Sequence, residues 1–173
     1  IGFLYCRDKV YLENFMNGGQ QEFGVRAGTE NIASIVGMAA ALKISCDTIK
    51  ETTRRLKKMT DEFHSLIQNA LPEAVFNGSP DSRLPGHISL SIPGITGEGL
   101  LHFLDLKGIA VSTGAACNTK STEISHVLTA ICLPITLAKG TVRVTFGSDN
   151  KEEDAGIIAQ HILDYCAKLK GRK

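Results

Sequence analysis

Between Ile49 and Pro72 the apolar residues Ile49, Leu56, Met59, Phe63, Leu66, Ile67 and Ala70 recur at helical spacing and trace a single stripe. Thr48-x-x-Glu51 in front of them has the form of a capping box, and Pro72 ends the pattern. The spacing predicts a helix of about six turns. Thr141-Val-Arg-Val-Thr-Phe146 alternates strictly, which sends Val142, Val144 and Phe146 to one face of a strand and Thr141, Arg143 and Thr145 to the other. Arg143 therefore points away from the core. Short strands at Ala74–Phe76, His87–Ile92 and Ile109–Val111 and a helix at Glu98–Lys107 lie between, with Gly108 placed to end that helix. The predicted class is α/β.

Upstream, Ile1–Cys6 reads as a short buried strand, and residues 17–31, with four glycines and no apolar period, read as an irregular loop. Ile32–Ser45 turns helical, with Ile32, Ile35, Val36 and Ala39 at helix spacing among small residues, and reads as a buried helix. A loop-like Cys46-Asp47-Thr48 separates it from the striped helix, which sets a domain change between residues 1–47 and 48–173. The last helix is predicted after Asp149 or Asn150, with Ile157, Ile158, Ile162, Tyr165 and Leu169 inward and a basic tail.

Composition narrows the function. At 173 residues, 43% hydrophobic and 21% charged, the chain is long enough and apolar enough to fold around a core rather than remain disordered. Nineteen Lys and Arg against eighteen Asp and Glu remove the charge excess that drives general nucleic-acid binding, so nucleic acid is not an expected partner. No apolar run is read as approaching the ~20 residues that span a bilayer, and no signal peptide is visible, so the expected compartment is the cytoplasm, with no membrane partner. Five cysteines, scattered and without a C-x-x-C pair, do not make a disulfide framework or a zinc site. The five histidines show no metal-ligand spacing, and no metal is expected.

Three segments carry possible chemistry. Cys117 lies in Val111-Ser-Thr-Gly-Ala-Ala-Cys-Asn-Thr-Lys-Ser-Thr122, a run of small and polar residues after a strand. In such a loop a thiol is either a nucleophile or an inert, partly buried side chain, and the residues leave both open. The glycine-rich loop ending in Gly28-Thr29-Glu30-Asn31 precedes a helix, which suits either an anion held by backbone N–H groups and the Thr29 hydroxyl or a simple cap. Arg143, on the outward face of its strand, has the two-pronged guanidinium that grips a carboxylate, or lies on a solvated sheet face.

Taken together these segments resemble the cysteine desulfurases of the NifS/IscS type, a pyridoxal-phosphate (PLP) family that includes selenocysteine lyases. Gly18-Gly-Gln-Gln-Glu-Phe-Gly-Val-Arg-Ala-Gly-Thr-Glu-Asn31 is similar to the family's G-G-Q-E-x-G-x-R-x-G-T-x-N loop. Ser112-Thr-Gly-Ala-Ala-Cys117 with Glu123-Ile-Ser-His-Val-Leu128 resembles its S-x-G-[SA]-A-C loop and E-P-S-H-V-L helix, and Thr141–Gly147 its [SV]-x-R-[FV]-S-x-G strand. Order and spacing agree along the whole chain. The resemblance implies that Cys117 attacks the substrate sulfur and becomes a persulfide. It implies that Thr29 reaches the cofactor phosphate of the other subunit in a homodimer, and that Arg143 binds the α-carboxylate of L-cysteine. It also implies a sulfur-acceptor or iron–sulfur scaffold protein as partner.

The implied fold is the C-terminal part of a fold-type I PLP enzyme, with residues 1–47 the end of the large domain and 48–173 a small α/β domain. The family's Schiff-base lysine sits in an S-x-H-K motif that does not occur here, and Ile1–Tyr5 resembles the stretch directly C-terminal to that motif in the family. The chain is thus expected to be the C-terminal portion of a longer desulfurase and inactive alone. The alternatives are a selenocysteine lyase or a non-catalytic interaction module derived from the family. Two departures stand out: Ser148 where many relatives carry a second Arg, and Ala27 where many have Ser.

Overall fold

A computed structural model describes residues 1–8, 10–113 and 124–171. The chain divides into two compact units, Ile1–Ile49 and Lys50–Lys173. Helix α1, Ile32–Ala70, runs through the division without a break. The predicted loop at Cys46-Asp47-Thr48 is absent, and so is the capping box. The Thr48 hydroxyl donates to the Ile44 carbonyl one turn back, 3.0 Å away, and Lys43 pairs with Asp47 at 2.9 Å along the helix surface. Neither Gly nor Pro interrupts this stretch, so nothing forces the backbone out of the helix.

In the unit Lys50–Lys173 the striped half of α1 is followed by β1 (Val75–Phe76), β2 (His87–Ser91), α2 (Gly97–Asp105) and β3 (Ser112–Thr113). After the segment 114–123 come α3 (His126–Ala130), α4 (Ile135–Ala138), β4 (Thr141–Thr145) and α5 (Asp154–Lys170). The strands form one sheet in the order β1-β2-β4-β3, with every neighbouring pair antiparallel. Ile88 and Leu90 of β2 face Val144 and Val142 of β4 across the ladder, and these four fill one side of the sheet. Against them pack Met59, Phe63 and Ile67 of α1, Leu100 and Leu104 of α2, and Ala155, Ala159 and Ile162 of α5. Phe63 is the hub, edge-on to Phe76 and to Phe146 with ring centroids 6.5 and 6.2 Å away.

Local signals explain the ends of these elements. Thr96 caps α2, its hydroxyl oxygen accepting from the Gly99 N–H at 3.2 Å. Gly108, at φ +74°, stops that helix as predicted, and the Ile109 N–H folds back onto the Leu104 carbonyl at 3.0 Å. Gly86, at φ +81°, lies so close to β4 that a Cβ would sit 2.7 Å from the Phe146 carbonyl oxygen. The extended segment predicted at Ile109–Val111 is displaced to Ser112–Thr113. The last helix starts at Asp154, later than predicted, because Lys151 N–H and the Asn150 amide both donate to the Asp154 carboxylate and hold 150–153 as a turn. Of its predicted inward residues, Ile162 is buried, Ile158, Tyr165 and Leu169 are half-buried, and Ile157 is exposed.

The unit Ile1–Ile49 is built differently. Ile1–Cys6, predicted as a buried strand, is exposed and pairs with no described strand. An isolated extended segment has no ladder to hold it. The loop 17–31 is irregular as predicted, with a 3₁₀ turn at Glu22–Gly24 in which Glu22 and Phe23 take φ of +49° and +57°. The first half of α1 is helical but not buried: Ile32, Val36, Leu42, Ile44 and Ile49 all face solvent. Its Ala, Ile and Val content also makes α1 long and apolar enough in composition to cross a membrane, which corrects the reading that no stretch approaches that length. Composition of this kind equally suits a helix in the interior of a protein.

Candidate functional site

Arg143 sits in the middle of β4 on the sheet face opposite the core. The neighbouring strands place Ser89 of β2 and Ser112 of β3 directly beside it. Its side chain is exposed while Val142 and Val144 on either side are buried, as the alternation requires. Thr141 departs from the prediction: it is buried. Its hydroxyl lies 2.6 Å from that of Ser91 and reaches the Leu137 carbonyl at 3.3 Å, because α4 folds over this end of the strand. The Asn77 amide nitrogen extends the same network, donating to Ser89 Oγ at 3.1 Å and Ser91 Oγ at 2.7 Å. A row of small hydroxyls thus runs beside Arg143. No single strand shows that row in sequence; it appears once the register joins three of them.

The turn after β4 is tied down from α1. The Arg55 guanidinium donates to the carbonyls of Ser148 at 2.8 Å, Gly147 at 3.3 Å and Asn150. Asn150 closes the turn from inside, its Oδ1 accepting from the Gly147 N–H at 2.8 Å. Hydrogen bonds from the Asn150 amide and the Lys151 N–H hold the Asp154 carboxyl below its ordinary range. Lys58 pairs with Glu152 beside it. Sequence reading missed Arg55, since an Arg next to an apolar stripe reads as solvated surface.

Thr29 belongs to the unit Ile1–Ile49, where it is exposed between the glycine loop and α1. The cap of α1 is Asn31, whose Oδ1 accepts from the Ser34 N–H at 3.1 Å. Within the loop, Gln21 Oε1 accepts from the Gly28 N–H at 3.1 Å and Asn14 donates to the Gly24 carbonyl at 2.7 Å. Ala27 is buried beneath it. Thr29 and Arg143 are each placed within their own unit. Cys117, the predicted nucleophile, lies outside the described residues, four positions beyond the end of β3. Among the described cysteines, Cys6, Cys46 and Cys132 are exposed and Cys166 is buried, its thiol pushed above the usual range by burial. Among the described residues no three His, Cys, Asp or Glu side chains gather as metal ligands.

The outward Arg143 thus lies on a strand paired with β3, the short strand that precedes the segment containing Cys117. Residues 1–157 match the aminotransferase class-V family, and the chain belongs to it. Within that family its similarity is to cysteine desulfurases. It is 40% identical over 170 residues to the cysteine desulfurase IscS of Dictyoglomus turgidum, covering 98% of this chain and 43% of that protein. It is 35% identical over 170 residues to the NifS of Azotobacter vinelandii, covering 98% and 42%. Among solved structures, a NifS-like protein superposes with a TM-score of 0.80 at 29% identity, over 94% of this chain and 41% of that one. A NifS-like protein from Rickettsia africae gives 0.75 at 27% identity, over 90% and 41%. The chain spans about two fifths of the length of the relatives it matches. The fold is that of the corresponding part of a fold-type I PLP enzyme, and the family is PLP-dependent.

Proposed function

We propose that the protein to which these residues belong is a PLP-dependent cysteine desulfurase, with Cys117, Arg143 and Thr29 as its working residues in this chain. The placement of Arg143 carries the reading: an exposed guanidinium on a rigid strand, flanked by Ser89 and Ser112, in a family relative of cysteine desulfurases. A fork of that kind holds the α-carboxylate of L-cysteine in two parallel hydrogen bonds and fixes where the substrate sulfur lies.

The residues present fit part of the cofactor. Thr29, an exposed hydroxyl at the end of a glycine loop and just ahead of the α1 cap, suits a phosphate, here that of a partner subunit in a homodimer. The covalent attachment does not come from an S-x-H-K segment of these residues. When bound, the cofactor supplies an electron sink for the pair left at Cα once its proton departs. The Cys117 thiolate attacks the substrate sulfur, so that an S–S bond forms as the substrate C–S bond breaks; the C–S electron pair stays on Cβ and takes up a proton, a proton returns to Cα, and the carbon skeleton leaves as alanine. The resulting persulfide passes its outer sulfur to an acceptor or an iron–sulfur scaffold protein. The units Ile1–Ile49 and Lys50–Lys173 are assigned to the end of the large domain and to the small domain.

The test is alanine release from L-cysteine by the protein at the length of its relatives, with the mass of Cys117 followed in parallel. We expect release, a gain of one sulfur atom on Cys117, and loss of both in Cys117→Ala. Arg143→Met should raise KM more than it lowers kcat. The 173-residue chain alone should release none. Turnover by Cys117→Ala, or by the 173-residue chain, would overturn the corresponding claim.

A further inference from the structure

Within the unit Lys50–Lys173, a cavity of about 430 Å³ opens between α1 and the segment 76–85. Its volume lies in the range of small-molecule sites. Neither Thr29 nor Arg143 lines it. One wall is aromatic: the His64 and Phe76 rings lie against each other with centroids 4.0 Å apart and planes tilted by 34°. Leu84 and Pro85 form an apolar lip. Four charged residues, Lys57, Asp61, Asp81 and Arg83, stand around this apolar body. Among the described residues none of the four is in an ion pair. Arg83 is held in place by the carbonyls of Ser79 at 2.8 Å and of Asn77 and Gly78 at 3.4 Å, through Nε and Nη2. Its Nη1 is left without a partner among the described residues.

We propose that this cavity binds a small zwitterion with a planar or apolar body, of the class of free aromatic amino acids. The charges decide the class. A purely anionic ligand would face Asp61 and Asp81, and a purely cationic one Lys57 and Arg83. A neutral apolar ligand would make no use of any of the four. A molecule carrying one charge of each sign finds an opposite charge for each of its own, while its body lies against the His64–Phe76 wall. The rim is open to solvent, so the charges are screened and the affinity is modest, on the order of 1 mM.

The test is saturation-transfer NMR on the full-length protein with three probes of one shape: L-phenylalanine, 3-phenylpropionate and phenethylamine. We expect saturable binding of L-phenylalanine and about tenfold weaker binding of the two singly charged probes. Lys57→Met and Asp61→Asn, both at exposed positions, should each weaken L-phenylalanine binding several-fold while the thermal midpoint stays fixed. Binding of L-phenylalanine that is absent, or matched by either singly charged probe, overturns the proposal. So does binding unchanged in both variants, which would place it at a substrate site instead.

Discussion

The two units of this chain contain similar residues and treat them in opposite ways. In Lys50–Lys173 the apolar side chains of three helices close over one side of a sheet, and Met59, Phe63, Ile67 and Leu104 lose all contact with solvent. In Ile1–Ile49 the apolar residues are more frequent still, 25 of 49 against 49 of 124, yet Ala27 is the one that is buried among those described. Phe15 and Phe23 are about as exposed as a side chain can be, at 99% and 102%. The difference teaches that hydrophobic spacing says which face of an element needs cover, while the cover itself depends on what else is in the chain. α1 shows both outcomes within one helix.

The sharpest way to break this comparison is to remove one phenylalanine from each unit. Phe63→Ala should cost about 3–5 kcal/mol in denaturant unfolding, because it empties the hub between Phe76 and Phe146. Phe23→Ala should stay within about 0.5 kcal/mol in the 173-residue chain. A large loss there would show that Phe23 has a partner after all. Gly86→Ala should cost about 1–3 kcal/mol, since a Cβ meets the Phe146 carbonyl and φ is left-handed. Thiol labelling sharpens the contrast: Cys6 and Cys46 should react in the folded chain, and Cys166 only as it unfolds.

The smallest effect concerns Glu73 and Lys170, which pair at 2.8 Å across the end of α5. The Lys170 ammonium lowers the Glu73 carboxyl, and Glu73 raises Lys170. A lowered carboxylate contributes stability above its unfolded pKa and loses it as pH falls through the folded value. The raised lysine loses its part as pH rises through its own. Thermal midpoints of the protein and of Lys170→Met should therefore differ slightly at neutral pH and converge once the pH has fallen through the lowered Glu73 value.

Much of the unit Lys50–Lys173 was legible in the sequence because its signals are local. The stripe of α1 and the alternation of β4 name their own buried faces, and Gly108 marks a helix end. Even so, Ile49 and Leu66 of the stripe face solvent, since an apolar period tells direction and not depth. Thr48-x-x-Glu51 misled for a different reason. A capping box competes with helix continuation, and the good helix formers on both sides won. Arg143 was readable as outward. Its neighbours Ser89 and Ser112, and the Arg55 tie to the turn beyond it, depend on register and on contacts across more than ninety positions, as with Arg55 and Ser148.

The register of β4 has a consequence for how this stretch tolerates change. The Gly86 carbonyl accepts from the Phe146 N–H at 2.8 Å at one end, and the Gly140 carbonyl accepts from the Ile92 N–H at 3.1 Å at the other, so the strand is pinned at both ends. A substitution inside it alters one side chain. A gain or loss of one residue would invert every side chain past that point, driving Arg143 or Thr145 toward the core and a valine into water. Length variation in the gene should thus be purged from 141–146.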